Sequence, residues 1–200
     1  MILIYMIILL TTLALFLGCD LSQIGRLTYR GGWKLAALVA GLSILQTILV
    51  LFTPGQTMGQ MLLAIFSQLA LAGAFLLNRH LPGAKLVALG IMLNTTVMLA
   101  NGGWMPITLE SVRYVHPDRP IELEARQPKS KNIILPRSET NLWLLSDIIP
   151  VAVPWRRYVI SLGDSLLVVG VAQFIFQTTT RRKTPILLPV FEWTSISAKR

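Results

Sequence analysis

Three short motifs carry the side chains of this chain most capable of chemistry: Asn101-Gly102-Gly103-Trp104-Met105-Pro106, Leu145-Ser146-Asp147-Ile148-Ile149-Pro150 and Ser161-Leu162-Gly163-Asp164. Asp147 and Asp164 are a carboxylate pair of the type that serves as general acid and base. Asn101 precedes two glycines whose backbone N–H groups are open to a ligand. Ser161 has no histidine or lysine beside it in sequence to make it a nucleophile. Brought to one depth, Asn101, Gly102, Gly103, Met105, Pro106, Asp147, Ser161 and Asp164 would form a polar cluster able to hold a headgroup, a cation or a partner's peptide.

The same residues have simpler uses. Ser161-x-x-Asp164 stands directly before an apolar run with capping-box spacing. The serine hydroxyl accepts from the Asp164 N–H, and the carboxylate reaches back to the serine N–H. A carboxylate in the first turn also complements the positive helix end. Asn101-Gly102-Gly103 is a natural helix stop, since glycine adopts left-handed angles readily. Asp147 has Arg156 and Arg157 nearby in sequence for pairing. Capping outweighs catalysis on these grounds, and no residue is assigned as catalytic.

Membrane helices must position these motifs. The chain has 200 residues, 54% hydrophobic and only 14% charged, with a mean hydropathy of +0.63. Its apolar residues gather into runs near the roughly 20 residues that carry a helix across hydrocarbon. Five such spans are expected, at about 2–18, 35–52, 60–77, 84–100 and 162–176, the fifth short enough to borrow a turn from Gln177 and Thr178. Thr53-Pro54-Gly55 closes the second span into a tight hairpin with the third. Asn78 through Gly83 break the chain between the third and fourth. The expected fold is thus an all-α integral membrane protein, with five transmembrane helices and a long irregular outer loop, 101–158, between helices four and five. A basic tail, 178–200, follows.

Charge sets the orientation. Arg26, Arg30 and Lys34, then Arg79 and Lys85, then Arg181, Arg182, Lys183, Lys199 and Arg200 all fall on one side of a five-span chain. With Asp20 and Glu192, that side holds ten basic and two acidic residues, a net +8, and leaves eight basic and seven acidic on the other, a net +1. Lysine and arginine favour the cytoplasm, so the amino terminus is expected outside and the tail inside, in a bacterial inner membrane. The overall +9 is then met by anionic lipid at the inner face rather than by nucleic acid. Trp33 falls at the predicted inner boundary of span two, and Trp104, Trp155 and Tyr158 at outer ends, as interfacial aromatics do.

The first run has no basic residue ahead of it, so cleavage as a secretory signal is not expected. Leu17 occupies the place where a lipoprotein signal has a small residue before the Gly18-Cys19 pair. Cys19 is the single cysteine and excludes an internal disulfide. Within the outer loop, the stretch 116–136 is rich in proline and charge and is expected to lack a core of its own. Leu142 to Leu145 and Ile148 to Val151 are apolar but too short to span, which suits an interfacial or re-entrant segment packed back on the bundle. Pro150 and Pro154 argue against a long helix there.

Inside the spans, polar residues are few and neutral. Gly90, Asn94, Val97 and Asn101 fall on one face of span four, and Gly163, Gly170 and Gln177 repeat by seven on span five. Small residues let backbones approach, and an amide can then bond across. Helix packing is therefore the role expected of Gly90, Asn94, Gly163 and Gly170. Ser43, Gln46, Thr47 and Gln68 are able to join such contacts. No ionisable residue falls in mid-span, which disfavours a proton-coupled pump. His80 and His116 fall outside the spans, which disfavours membrane haem. With no phosphate-binding loop or zinc motif either, neither metal nor cofactor is expected.

In their order, the three motifs resemble those of an uncharacterised family of bacterial multi-span membrane proteins, a domain of unknown function. The resemblance spans mainly residues 84–176. The family's pattern more often has glycine before the loop aspartate, where this chain has Ser146. The resemblance implies no activity. It implies that the outer ends of spans four and five and the loop between them form one structural unit. The expected function is a non-catalytic accessory subunit, with a membrane protein as partner, or a small-ligand or lipid-binding protein. The alternative is a membrane-embedded enzyme acting on a lipid-linked substrate at the outer face.

Overall fold

A computed structural model of the chain describes residues 2–53, 55–118, 121–127, 130–154 and 156–180. Trp155 and the basic residues of the tail from Arg181 onward lie outside the described residues. The fold is mostly helical, with α1 (Ile2–Phe16), α2 (Gly32–Phe52), α3 (Met58–Leu77), α4 (Ala84–Ala100), α5 (Leu109–Val115) and α6 (Leu162–Thr179). Among the described residues α2, α3 and α6 are long and apolar enough to cross a membrane, and α1 and α4 are shorter apolar helices.

Local chemistry sets the helix ends. Thr57 caps α3 in a full capping box with Gln60: its hydroxyl accepts from the Gln60 N–H, and the Gln60 side chain accepts from the Thr57 N–H. Arg126 lays its guanidinium on the Val50 and Thr53 carbonyls at the end of α2, where a cation complements the helix dipole. After Ala100 the chain turns through Gly102 and Gly103, with φ of +70° and +87°.

The long helices alternate in direction. At one end the Asn78 amide takes a hydrogen bond from the Arg30 N–H at 2.7 Å and returns one to the Arg30 carbonyl at 3.1 Å. There too the Asp20 N–H donates to the Thr179 carbonyl at 2.9 Å, tying the end of α1 to that of α6. At the other end Gln56, in the α2–α3 turn, donates to the Glu124 carbonyl at 2.9 Å. The α1–α2 and α3–α4 connections thus share one end, and the α2–α3 turn and the 101–160 segment share the other.

The closest helix contact is α4 against α6, and glycine makes it possible. A Cβ at Gly90 would lie 2.5 Å from the Gly163 carbonyl oxygen, and one at Gly83 would lie 1.9 Å from that of Gly170. Two apolar clusters flank the seam. Ala72, Val87 and Ile91 gather Leu71, Phe75, Leu167 and Val171, while Ala64, Val97, Met98 and Met105 gather Leu145.

The 101–158 segment is not the irregular loop that its proline and charge content predicted. Strand β1 (Met105–Ile107) pairs in parallel with β2 (Asn132–Ile134), and β3 (Ile149–Val153) forms an antiparallel hairpin with β4 (Arg156–Ile160). Ile107, Val112 and Ile134 bury one another with Ile121 beside them, a small core where none was expected. Two features hid this. The β1–β2 pairing is non-local and three residues long. The hairpin's β-branched residues, Val151, Val153, Val159 and Ile160, were masked by Pro150 and Pro154, which bar a helix but are tolerated in an edge strand or turn. Trp104 is also corrected: only 3% exposed, it is covered by Arg126 at 5.0 Å and is no interfacial belt residue.

Candidate functional site: a polar knot and an interhelical cleft

Helix α6 begins well below the top of α4. Gly163 faces Gly90, and Ser161 and Asp164 face Asn94, seven residues or about 10 Å along the axis before Asn101. The eight motif residues therefore do not share one depth. Asn101, Gly102 and Gly103 lie at the rim, and Ser161 and Asp164 lie within the bundle.

At the deeper level Asn94 holds the knot. Its Nδ2 donates to Asp164 Oδ1 at 2.8 Å, and its Oδ1 accepts from the Ser161 hydroxyl at 2.8 Å. That hydroxyl accepts in turn from the Asp164 N–H at 3.0 Å. Half of the expected capping box is thus formed. In place of the other half, the Asp164 carboxylate binds Asn94 across the helix seam. Ser161 is fully buried, with both its donor and its acceptor engaged.

At the rim Asn101 is a structural clamp. Its Nδ2 donates to the Val97 and Asn141 carbonyls at 2.8 and 2.9 Å, and its Oδ1 accepts from the Asn141 N–H at 2.9 Å. The Gly103 N–H is not open to a ligand, because it donates to the Met98 carbonyl. A side chain at Gly103 would strike Met61 of α3. Met105 and Pro106 are buried in β1.

Asp147 does not pair with Arg156 or Arg157, whose guanidinium groups stack over Tyr158 and Tyr114 at 5.4 and 5.3 Å. Instead it accepts from Asn132 Nδ2 at 2.5 Å. Withdrawal from water, reinforced by the nearby Asp164 carboxylate, pushes its pKa up to about 7, against the Asn132 hydrogen bond and the Lys131 charge. Lys131 completes this group and was not singled out in the sequence, where nothing marks it off from the other basic residues of the outer segment. Burial pulls its pKa down, while Asp164 and Asp147 act to raise it. A lysine and two carboxylates thus converge where β2 enters the bundle.

The pKa of Asp147 gives a pH dependence of defined sign. Its ordinary value is 3.8, so between there and about 7 the folded chain holds more protons than the unfolded chain. Stability should fall as pH rises through that interval and level off above it. Asp147→Asn should flatten the slope and raise the melting temperature in detergent at pH 8 relative to the native chain. Parallel curves for the two proteins across the interval would contradict this origin.

Lys131 and Asp164 open onto a cleft of about 370 Å³ between α1, α2, α3, α4 and α6. Leu10, Leu71, Phe75, Ile91, Leu167 and Val168 make much of its apolar wall, and Gln46, Ser67, Gln68 and Asn94 add neutral polar groups. The Ser67 hydroxyl donates to Gln46, linking α3 to α2 across it. No group of three or more histidine, cysteine, aspartate or glutamate residues placed for a metal occurs among the described residues.

A protein family described as a family of unknown function (DUF5317) matches residues 32–176. The chain belongs to that family. The matched stretch runs from the start of α2 into the last turn of α6 and includes all three motifs, the glycine seam and Lys131. An uncharacterized protein of Thermotoga maritima is 39% identical over 103 residues, covering 51% of this chain and 54% of that protein. The chain thus spans about half the length of the curated relative it matches. No solved structure matches the chain.

Proposed function

We propose that the chain is a five-span protein of the bacterial inner membrane, with its amino terminus outside and its tail in the cytoplasm, and that it binds a lipid or small ligand without catalysing a reaction. The outward apolar surface supports the membrane setting: Phe16, Phe52 and Trp33 are 85%, 79% and 76% exposed, a cost in water that hydrocarbon removes. The alternating helices and the inner-side cluster of arginine and lysine support the orientation, and anionic lipid is the expected contact of that face.

One observation supports binding over catalysis. Ser161 and Asn101 are tied into hydrogen bonds that hold helices and loop together, while the cleft beside them is open and largely apolar. Such a site suits holding an amphiphile better than activating a nucleophile. An accessory role, with the lipid-facing helices against a membrane protein partner, is compatible with the same surface.

Two experiments test this. With Cys19 changed to serine, a cysteine at exposed Ser138 should react with an impermeant maleimide in intact cells, and one at Ser195 only after lysis; the reverse pattern overturns the orientation. Purification in mild detergent should recover a stoichiometric lipid, ligand or protein partner. Chemical conversion of a bound lipid during incubation would favour an enzyme.

A further inference from the structure

The cleft is half of a longer groove. A second hollow of about 560 Å³ is lined by Tyr29, Arg30, Asn78 and Gly83 at the opposite end of the bundle. Ser43, Leu71, Phe75, Val87 and Val171 line both spaces, so an apolar trough follows α2 and α6 from Lys131 and Asp164 towards Arg30. Each volume lies within the range of roughly 300–1,000 Å³ typical of small-molecule sites.

The charged end of the trough has two groups without a partner among the described residues. Lys131 lines the cleft, and its ammonium has no hydrogen bond or ion pair among the described residues. Asp164 commits Oδ1 to Asn94, and its Oδ2 has no hydrogen-bond donor among the described residues. A partly buried cation and a carboxylate oxygen thus stand at one cleft without closing on each other, and neither is sealed off from a bound group.

We propose, building on the lipid-binding reading above, that the trough holds one phospholipid whose headgroup carries both a phosphate and a primary amine. The phosphate lies on Lys131, the ammonium on Asp164, and an acyl chain lies along the α2–α6 groove. Lysine binds phosphate as a point charge, and a primary ammonium brings three donors to the free carboxylate oxygen. Pairing selects this chemistry. A purely anionic headgroup would leave the free Asp164 oxygen without a donor, and a purely cationic amphiphile would leave Lys131 without an acceptor. A zwitterion meets both groups.

The test uses the full chain in mild detergent and native mass spectrometry with three probes: phosphatidylethanolamine, its N-acetylated form and phosphatidylglycerol. One phosphatidylethanolamine per chain should be retained, with the other two held at least tenfold more weakly. Lys131→Met should lose that lipid tenfold or more, Lys131→Arg should keep it, and Asp164→Asn should erase the preference for the free amine. Should Lys131→Met not fold, Leu10→Trp, which fills the cleft from α1 away from the charges, should displace the same lipid. Equal retention of all three probes, or undiminished binding by Lys131→Met or Leu10→Trp, overturns the proposal. Stoichiometric retention of phosphatidylglycerol alone would sink the headgroup assignment and leave the lipid-binding reading intact. Retention of no lipid at all sinks both.

Discussion

Gly163→Leu should yield little or no folded protein in detergent, and Gly163→Ala should yield a chain with a clearly lowered melting temperature. A Cβ at this position would lie 2.1 Å from Asn94 Oδ1 and 2.6 Å from the Gly90 carbonyl oxygen. Neither atom has room to yield. The first is held by Ser161, and the second is backbone of the facing helix. Added bulk in a packed interior costs about 1–3 kcal/mol where side chains can shift, and it costs more here because α4 and α6 would have to separate along their whole seam. Gly41 of α2 is the control, since nothing lies within 4 Å of a Cβ built there. Gly41→Ala should leave stability unchanged or raise it by up to about 1 kcal/mol through helix propensity. Equal melting of Gly163→Leu and the native chain would mean that the two helices do not meet in this way.

Asn94→Leu should be the most damaging single loss of a polar group in the chain. One amide satisfies both the buried Ser161 hydroxyl and the Asp164 carboxylate. Without it both remain in a water-poor seam. Leaving such groups unpaired costs roughly 1–3 kcal/mol, more when one is charged, whereas ordinary hydrogen bonds between membrane helices average about 0.6 kcal/mol. Ser161→Ala should cost less, about 1 kcal/mol for the lost serine cap, because the Asp164 carboxylate keeps its bond from Asn94. The double variant should cost less than the sum of the two, since the groups share one network. Thermal unfolding of the three variants in one detergent checks this. Additive losses, or an Asn94→Leu chain as stable as the native one, would show that the knot holds nothing together.

Asp147 is a different kind of residue from Asp164, although in the sequence the two make one candidate acid–base pair. Asp164 is anchored by Asn94 and the first turn of its helix. Asp147 rests on Asn132, and its raised pKa means that the fold tolerates its charge poorly near neutral pH. Its neighbour Lys131 was invisible as a site residue because the sequence gives only its charge, not the β1–β2 pairing that carries it into the bundle.

The amino-acid sequence by itself determined the five long apolar helices and their breaks, but not the short α5. Long apolar runs, Gly83 and Asn101-Gly102-Gly103 at the ends of α4, and the serine cap of α6 act over a few residues, so local chemistry suffices to read them. The four-residue spacing of Gly90 and Asn94 and the seven-residue spacing of Gly163 and Gly170 also announced a close helix face before any partner was known. Only the tertiary structure decided how far α6 slides down α4, which moved Asp164 from the rim to the level of Asn94. It also decided that 101–158 folds into two small sheets, and that Lys131 and Asp164 meet over a cleft with Asp147 close to both. Apart from the local β3–β4 hairpin, those outcomes depend on pairings between residues 15 to 70 positions apart, such as Asn132 with Asp147, Met105 with Asn132 and Asn94 with Asp164. Hydropathy and local propensity specify the ends of such contacts but not which ends meet, because that choice is made by packing across the whole bundle.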